Sequence, residues 1–178
     1  MTRSRLFGRF ELAERPLRVA CVCAALALFA CASSSFDGRV FREDGMAFEV
    51  GPIPSAWRAI EVDGALLAFR DDRNSSTVAL NGRCGLDGDD VPLEALTHHL
   101  FLHFRDRKLV RQERVKLDER EALRSELVAE LDGVPMHYVV YVLKKNGCVY
   151  DFMHVSGAGD DSGREAFDRF VHGFGTLE

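Results

Sequence analysis

Long apolar runs are missing from this 178-residue chain. The main one, Val19 to Ala30, has 12 residues and as a helix reaches about 18 Å, short of a hydrocarbon core of roughly 30 Å, which argues against a permanent transmembrane helix. Cysteine is sparse: of five, Cys21, Cys23 and Cys31 lie at the N-terminal end, leaving Cys84 and Cys148. There is no CxxC, no HExxH and no GxSxG, so dithiol exchange, zincin chemistry and a hydrolase nucleophile elbow have no motif to stand on. Positive charge also runs short. Without residues 1–30 the chain keeps 18 basic and 26 acidic residues, a net charge of about −8, which disfavours nucleic acid, whose binding requires Lys and Arg to neutralise phosphate. No repeat, charge block or Pro/Ser-rich linker divides the stretch from about Phe36 onward, so its roughly 140 residues read as one domain.

What is present begins with an address. Arg3, Arg5, Arg9, Arg15 and Arg18 precede the apolar run, and small residues crowd its end, the layout of a secretory signal. Leu28-Phe29-Ala30-Cys31 resembles the lipobox of bacterial lipoproteins, with Phe29 bulkier than the small residue usual there. The resemblance implies cleavage before Cys31 and acylation of that cysteine, each chain burying methylenes worth about 0.8 kcal/mol apiece. The stretch before the apolar run is long and contains Glu11 and Glu14, so a misplaced start codon and an ordinary cleavage site are the alternatives. The expected organisation is a signal peptide over 1–30, a lipidated Cys31 with a polar tether over 31–40, and a single domain over 41–178. In that family Asp after the cysteine tends to hold the protein at the inner membrane; here the residue is Ala32, so the resemblance implies the outer membrane, facing the periplasm.

An oxidising compartment allows Cys84 and Cys148 to pair, which in the chain-entropy model contributes about 4 kcal/mol. Two separately buried thiols are the alternative, since pairing needs Cα atoms within about 7 Å.

Met46–Val50, Trp57–Val62, Ala65–Arg70 and Thr77–Asn81 read as short strands of a small meander, with Asp63-Gly64 as a hairpin turn. Asp90 and Pro92 start a helix in which Leu93, Leu96, Leu100 and Phe104 recur at helical spacing to about Arg107. Val110–Leu117 reads as a charged edge strand. Glu121–Leu131 alternates, with Leu123, Leu127, Ala129 and Leu131 on one face and Arg124, Glu126 and Glu130 on the other, although Ala, Leu and Glu also favour helix. Asp132-Gly133 and Asn146-Gly147 turn the chain into two further strands, Met136–Leu143 and Cys148–Val155. Ser162-Gly163-Arg164-Glu165 reads as a capping box opening a last helix, with Phe167, Phe170, Val171 and Phe174 on its apolar face.

Early short strands, a helix opened by Pro-Leu-x-x-Leu-Thr, three long antiparallel strands and a terminal helix with Phe-x-x-Phe-Val-x-x-Phe resemble the PsbP/Mog1-like fold, over about Phe41–Leu177. The fold class expected is thus α+β, an antiparallel sheet flanked by two helices in an α/β/α sandwich. That fold hosts photosystem accessory subunits, a Ran-binding factor and many lipoproteins. The resemblance implies a non-catalytic accessory or binding domain and transfers no site residue.

Side chains with chemical potential each meet an objection. His99 and His103 share a helix face and His98 adjoins them, but no carboxylate or thiol at ligand spacing completes a shell, so no metal is expected. The loop Gly157–Gly163 sits where a phosphate loop would, yet Asp160 and Asp161 would repel phosphate. Asp87-Gly88-Asp89-Asp90 fails the EF-hand pattern. His154 and Ser156 point to one strand face and Asp151 to the other, so they make no triad. No cofactor follows from any of these. Trp57 beside Arg58 fits core packing at least as well as a contact surface. Phe101 and Leu102, on the outer flank of the first helix, are the candidate interaction surface. The expected function is a membrane-anchored accessory lipoprotein of the cell envelope, not an enzyme, bound to the membrane by its anchor and to an envelope protein partner. The alternative is a periplasmic carrier of a small ligand, for which an internal cavity lined by Phe and Val would speak.

Overall fold

Three two-residue turns set the frame. Asp132 and Gly133 have φ of 51° and 78°, and Asn146 and Gly147 have 53° and 71°. These are the paired left-handed residues that tight hairpins need to match strand twist. Asp118 and Glu119, at 45° and 62°, make the third without any glycine. The three turns fold one long meander: β7 (Arg105–Leu117), β8 (Arg120–Leu131), β9 (Val134–Lys145) and β10 (Cys148–Gly157).

The computed structural model describes residues 34–43, 45–85 and 91–177. The leader, Cys31 and the Asp87–Asp90 segment lie outside them. Ahead of the meander come β1 (Ser35–Phe36), β2 (Val40–Glu43), β3 (Met46–Glu49), β4 (Trp57–Ala59), β5 (Leu67–Asp71), β6 (Ser76–Cys84) and α1 (Leu93–Leu100); after it come α2 (Arg164–His172) and β11 (Gly175–Thr176). The large sheet is antiparallel throughout, ordered β4-β5-β6-β10-β9-β8-β7, and a smaller sheet runs β1-β2-β3-β11. Met46–Glu49 thus belongs to a different sheet from the three runs expected to join it in one meander. Paired residues begin at Ser35, inside the stretch expected as tether.

Period-two alternation gives the large sheet two apolar faces. On one, Val78, Leu80, Val139, Leu143 and Phe152 pack against Phe167, Phe170 and Val171 of α2 and against Phe41 and Phe48 of the small sheet. On the other, Leu123, Leu127, Val140, Val142 and Val149 pack against Leu93, Leu96 and Leu100 of α1. Helix, sheet and helix stack as an α+β sandwich, the fold class expected. Cys84 lies directly opposite Cys148 across β6 and β10, with Cα atoms 4.0 Å apart, and the two form a disulfide.

Two expectations about helix ends are corrected. α1 stops at Leu100, not near Arg107; Arg107 Nη1 instead donates to the Phe101 carbonyl at 2.9 Å, and β7 is under way at Arg105. The helical wheel therefore does not extend to Phe101. That side chain is 3% exposed and stacks edge-on with Phe104 and Tyr138 in the core, so it is not part of an exposed surface. The capping box at Ser162 does not form either. Gly163 is the N-cap of α2 with φ 82° and no side-chain cap, while the Ser162 amide donates to Asp160 Oδ1 at 2.8 Å.

Candidate functional site

The polar face of β8 carries Arg124 and Glu126, and β9 sets Tyr141 and His137 beside them. The sequence suggests solvent for that face; the structure covers it with the loop and helix that follow β10. Arg124 Nε donates to the Tyr141 hydroxyl at 3.1 Å, and that hydroxyl donates to Asp168 Oδ1 of α2 at 2.8 Å. Arg124 Nη1 lies 3.5 Å from Glu113 and 3.6 Å from Glu126. His137 Nε2 is 3.1 Å from Glu126 Oε1, and Arg164 Nη2 reaches the same oxygen at 3.4 Å while pairing with Asp161. Burial works to raise the Glu126 carboxyl, but Arg164, His137 and Arg124 outweigh it and hold the group below the usual range. Burial, and Asp168 accepting its proton, push the Tyr141 hydroxyl well up.

Glu126, His137 and Asp161 bring potential ligand atoms within 4.8 Å of one another. The Arg164 guanidinium contacts both carboxylates, so a positive charge already sits where a cation would. The cluster closes on itself and ties α2 to the sheet.

His154 stands next to it, 1% exposed, its ring 5.4 Å from that of Phe167. Neither ring nitrogen has a hydrogen-bond partner among the described residues, and burial, with His137 and Arg164 nearby, lowers its pKa to about 4. Ser156 Oγ donates to the Asp160 carbonyl, and Asp151, on the opposite face, pairs with Arg83 at 3.2 Å. No proton relay links the three. Burial raises the Asp151 carboxyl against the pull of Arg83 and Asn81. Trp57 is a core residue whose indole donates to Asp71 at 3.1 Å. His98, His99 and His103 are all exposed, and His103 lies beyond the end of α1.

The open surface lies elsewhere. A groove of about 390 Å³ runs between α1 and β7, walled by Thr97, Phe101, Leu109 and Gln112 over a floor of Ser125 and Leu127. Along β7, in the segment after α1 and at the β8–β9 turn, Leu102 (46% exposed), Leu109 (58%), Val110 (55%), Leu131 (45%) and Val134 (56%) stand in solvent. They account for five of the seven large apolar side chains that are exposed among the described residues. Leu131 and Val134 face each other across the β8–β9 turn, and a depression lined by His103, Phe104, Arg105, Glu130 and Leu131 joins that turn to the segment carrying Leu102. β7 carries Arg105, Arg107, Lys108, Arg111, Arg114 and Lys116 against Asp106 and Glu113, a basic strand in an acidic chain. Leu102 alone was visible from the helical wheel. The others sit on strands and turns whose exposure depends on where the sheet ends.

No protein-family profile and no curated protein matches the sequence. Among solved structures the chain is similar to the cyanobacterial PsbP of Synechocystis, with 15% identity and a TM-score of 0.56 over 75% of this chain and 88% of that one. A protein of Bacteroides thetaiotaomicron gives 14% identity and 0.52 over 74% of this chain and 45% of that one. LpqN of Mycobacterium tuberculosis, described as involved in cell envelope biogenesis, gives 12% and 0.50 over 82% and 90%. These likenesses define the fold as PsbP-like.

Proposed function

We propose that the protein is a lipid-anchored accessory protein of the bacterial cell envelope, acylated at Cys31, whose domain binds another protein and catalyses no reaction. The observation that carries the binding role is the exposure of Leu102, Leu109, Val110, Leu131 and Val134 on the β7 side of the sheet and at the β8–β9 turn. Large apolar side chains left in water on one side of a domain cost solubility and mark contact sites. The non-catalytic reading is supported by the ion cluster, in which each acid and base is engaged by its neighbours across the sheet–α2 contact. The envelope address is supported by the arginine-rich leader ending in Leu28-Phe29-Ala30-Cys31, and the envelope role printed for LpqN fits it. No described helix is long and apolar enough to cross a membrane. Ala32 after the cysteine favours the outer membrane, periplasmic side. Carriage of a small apolar ligand is the second reading; the groove beside Phe101 and Leu127 is open and also presents Glu94, His98 and Arg107, unlike the internal Phe- and Val-lined cavity that reading calls for.

Intact mass and membrane fractionation of envelope-extracted protein test the anchor. The expected result is an acylated species beginning at Cys31 that becomes soluble in the Cys31→Ala variant. A chain with an unmodified N-terminus at another residue would overturn it.

A further inference from the structure

The large sheet has two edges, and they differ. β4 offers three residues, Trp57–Ala59, close behind Pro52 and Pro54, whereas β7 offers 13. On an edge strand, alternate residues aim both backbone N–H and C=O outward, away from the sheet. The first half of β7 is broken by register shifts between Arg105 and Lys108 and between Leu109 and Arg111. From Arg111 to Leu117 the register with β8 is continuous, so a straight, seven-residue stretch of edge stands open.

We propose that this edge of β7 is the docking strand for an acidic, extended segment of a partner protein, which adds to the sheet as an eighth strand. Charge selects the occupant. Arg114 and Lys116 project on the α1 side of the strand, alternating with Arg111, Glu113 and Val115 on the other. Arg114 is held between Glu94 and Glu121 and Arg111 pairs with Glu113, but Lys116, on the same face as Arg114, has no ion pair among the described residues. A strand with a carboxylate at every second position sets those carboxylates on one face, where Arg114 and Lys116 stand, while its backbone completes the ladder. The same charges reject a second copy of this chain, since β7 against β7 would set six basic side chains against six.

A membrane surface is the competing partner, and the position of the N-terminus decides against it; this step rests on the anchoring reading above. Phe36 of β1 packs on Phe69 of β5 at 6.5 Å, near the edge of the sheet opposite β7, about 24 Å across five strand spacings. Cys31 precedes Ser35 by four residues, at most about 14 Å of chain. On that reading the tether joins the domain at β1, whose Phe36 packs on β5 and not on β7.

The test uses full-length protein in detergent and a fluorescent ten-residue peptide of alternating Glu and Val with blocked ends, beside a Lys/Val counterpart. The Glu peptide is expected to bind at least tenfold tighter at low salt, and the Lys116→Glu variant, unchanged in its urea midpoint, to lose at least tenfold. N-methylation of every second peptide residue is expected to abolish binding in one phase and spare it in the other, because one edge of the peptide enters the ladder. Equal affinity for both peptides, no saturable binding, or the same response to both methylation phases would overturn the proposal. So would binding of the Cys31→Ala chain to phosphatidylglycerol vesicles that is lost with the same lysine. Peptide binding that persists in a chain lacking acylation would remove the anchor and leave the docking edge standing.

Discussion

His154 is a polar ring in an apolar seat. Its neutral form suits the fold, since the pKa falls from 6.5 toward about 4 through burial. The stability this confers is therefore complete above pH 6.5 and drains as pH drops from 6.5 to 4. By linkage the loss is about 2–3 kcal/mol between pH 7 and 4.5. Urea titrations at the two pH values should show that loss in the parent protein and little of it in His154→Phe, which keeps a ring against Phe167 and has nothing to protonate. Tyr141 is the second sensitive position. Its hydroxyl takes a hydrogen bond from Arg124 and gives one to Asp168. Tyr141→Phe should cost about 1–3 kcal/mol by the same titration, because it leaves buried charged partners short of a bond. Neither role was legible from spacing alone. Alternation correctly separates His154 from Asp151, and Arg124 from Leu123, but cannot tell whether the polar face meets water or another element. Here it meets α2, and the acids and bases that answer one another come from four separate segments, β7, β8, β9 and α2 with the loop before it.

The hairpins were the most readable elements, since Asp-Gly and Asn-Gly state a backbone geometry directly. The Asp118-Glu119 turn was not, because nothing in those residue types demands a left-handed pair. What holds it is distant: Asp118 Oδ2 accepts from the Thr176 amide and hydroxyl, each at 2.9 Å, and pairs with Lys145 at 2.7 Å. The end of α1 was equally hidden, for no Gly or Pro separates Leu100 from Arg107. The disulfide staples β6 to β10 over a separation of 64 residues. Reduction, or a Cys84→Ala/Cys148→Ala pair, should lower stability by about 4 kcal/mol in a denaturant titration without changing the fold. Gly173 is the C-cap of α2, and it also serves a contact. A Cβ there would lie 2.3 Å from Gly51 Cα, and one on Gly51 would lie 2.2 Å from the Arg169 carbonyl oxygen. The Gly51 amide donates to the Phe170 carbonyl at 2.9 Å. Backbone meets backbone at this crossing, and Gly51→Ala should cost about 3 kcal/mol, visible as a lower melting temperature.

On the scale of the whole molecule, the order of elements carried the fold class, while the division into two sheets escaped because β1 and β2 are too short to signal. The acidic balance of the chain was plain, and so was a charged edge strand over Val110–Leu117; that the strand starts at Arg105 and so carries Arg105, Arg107 and Lys108 as well was not. The small sheet has a further effect. Its strands come from both ends of the domain, with β11 closing on β3 and the Thr176 contacts locking the β7–β8 turn. Phe41, Phe48 and Phe174 therefore find their common packing only after α2 and β11 have been made. Contacts of such long range form late and slowly. The core under the small sheet is thus closed by side chains as far apart in sequence as Phe48 and Phe174, so early strands wait on late ones for their packing.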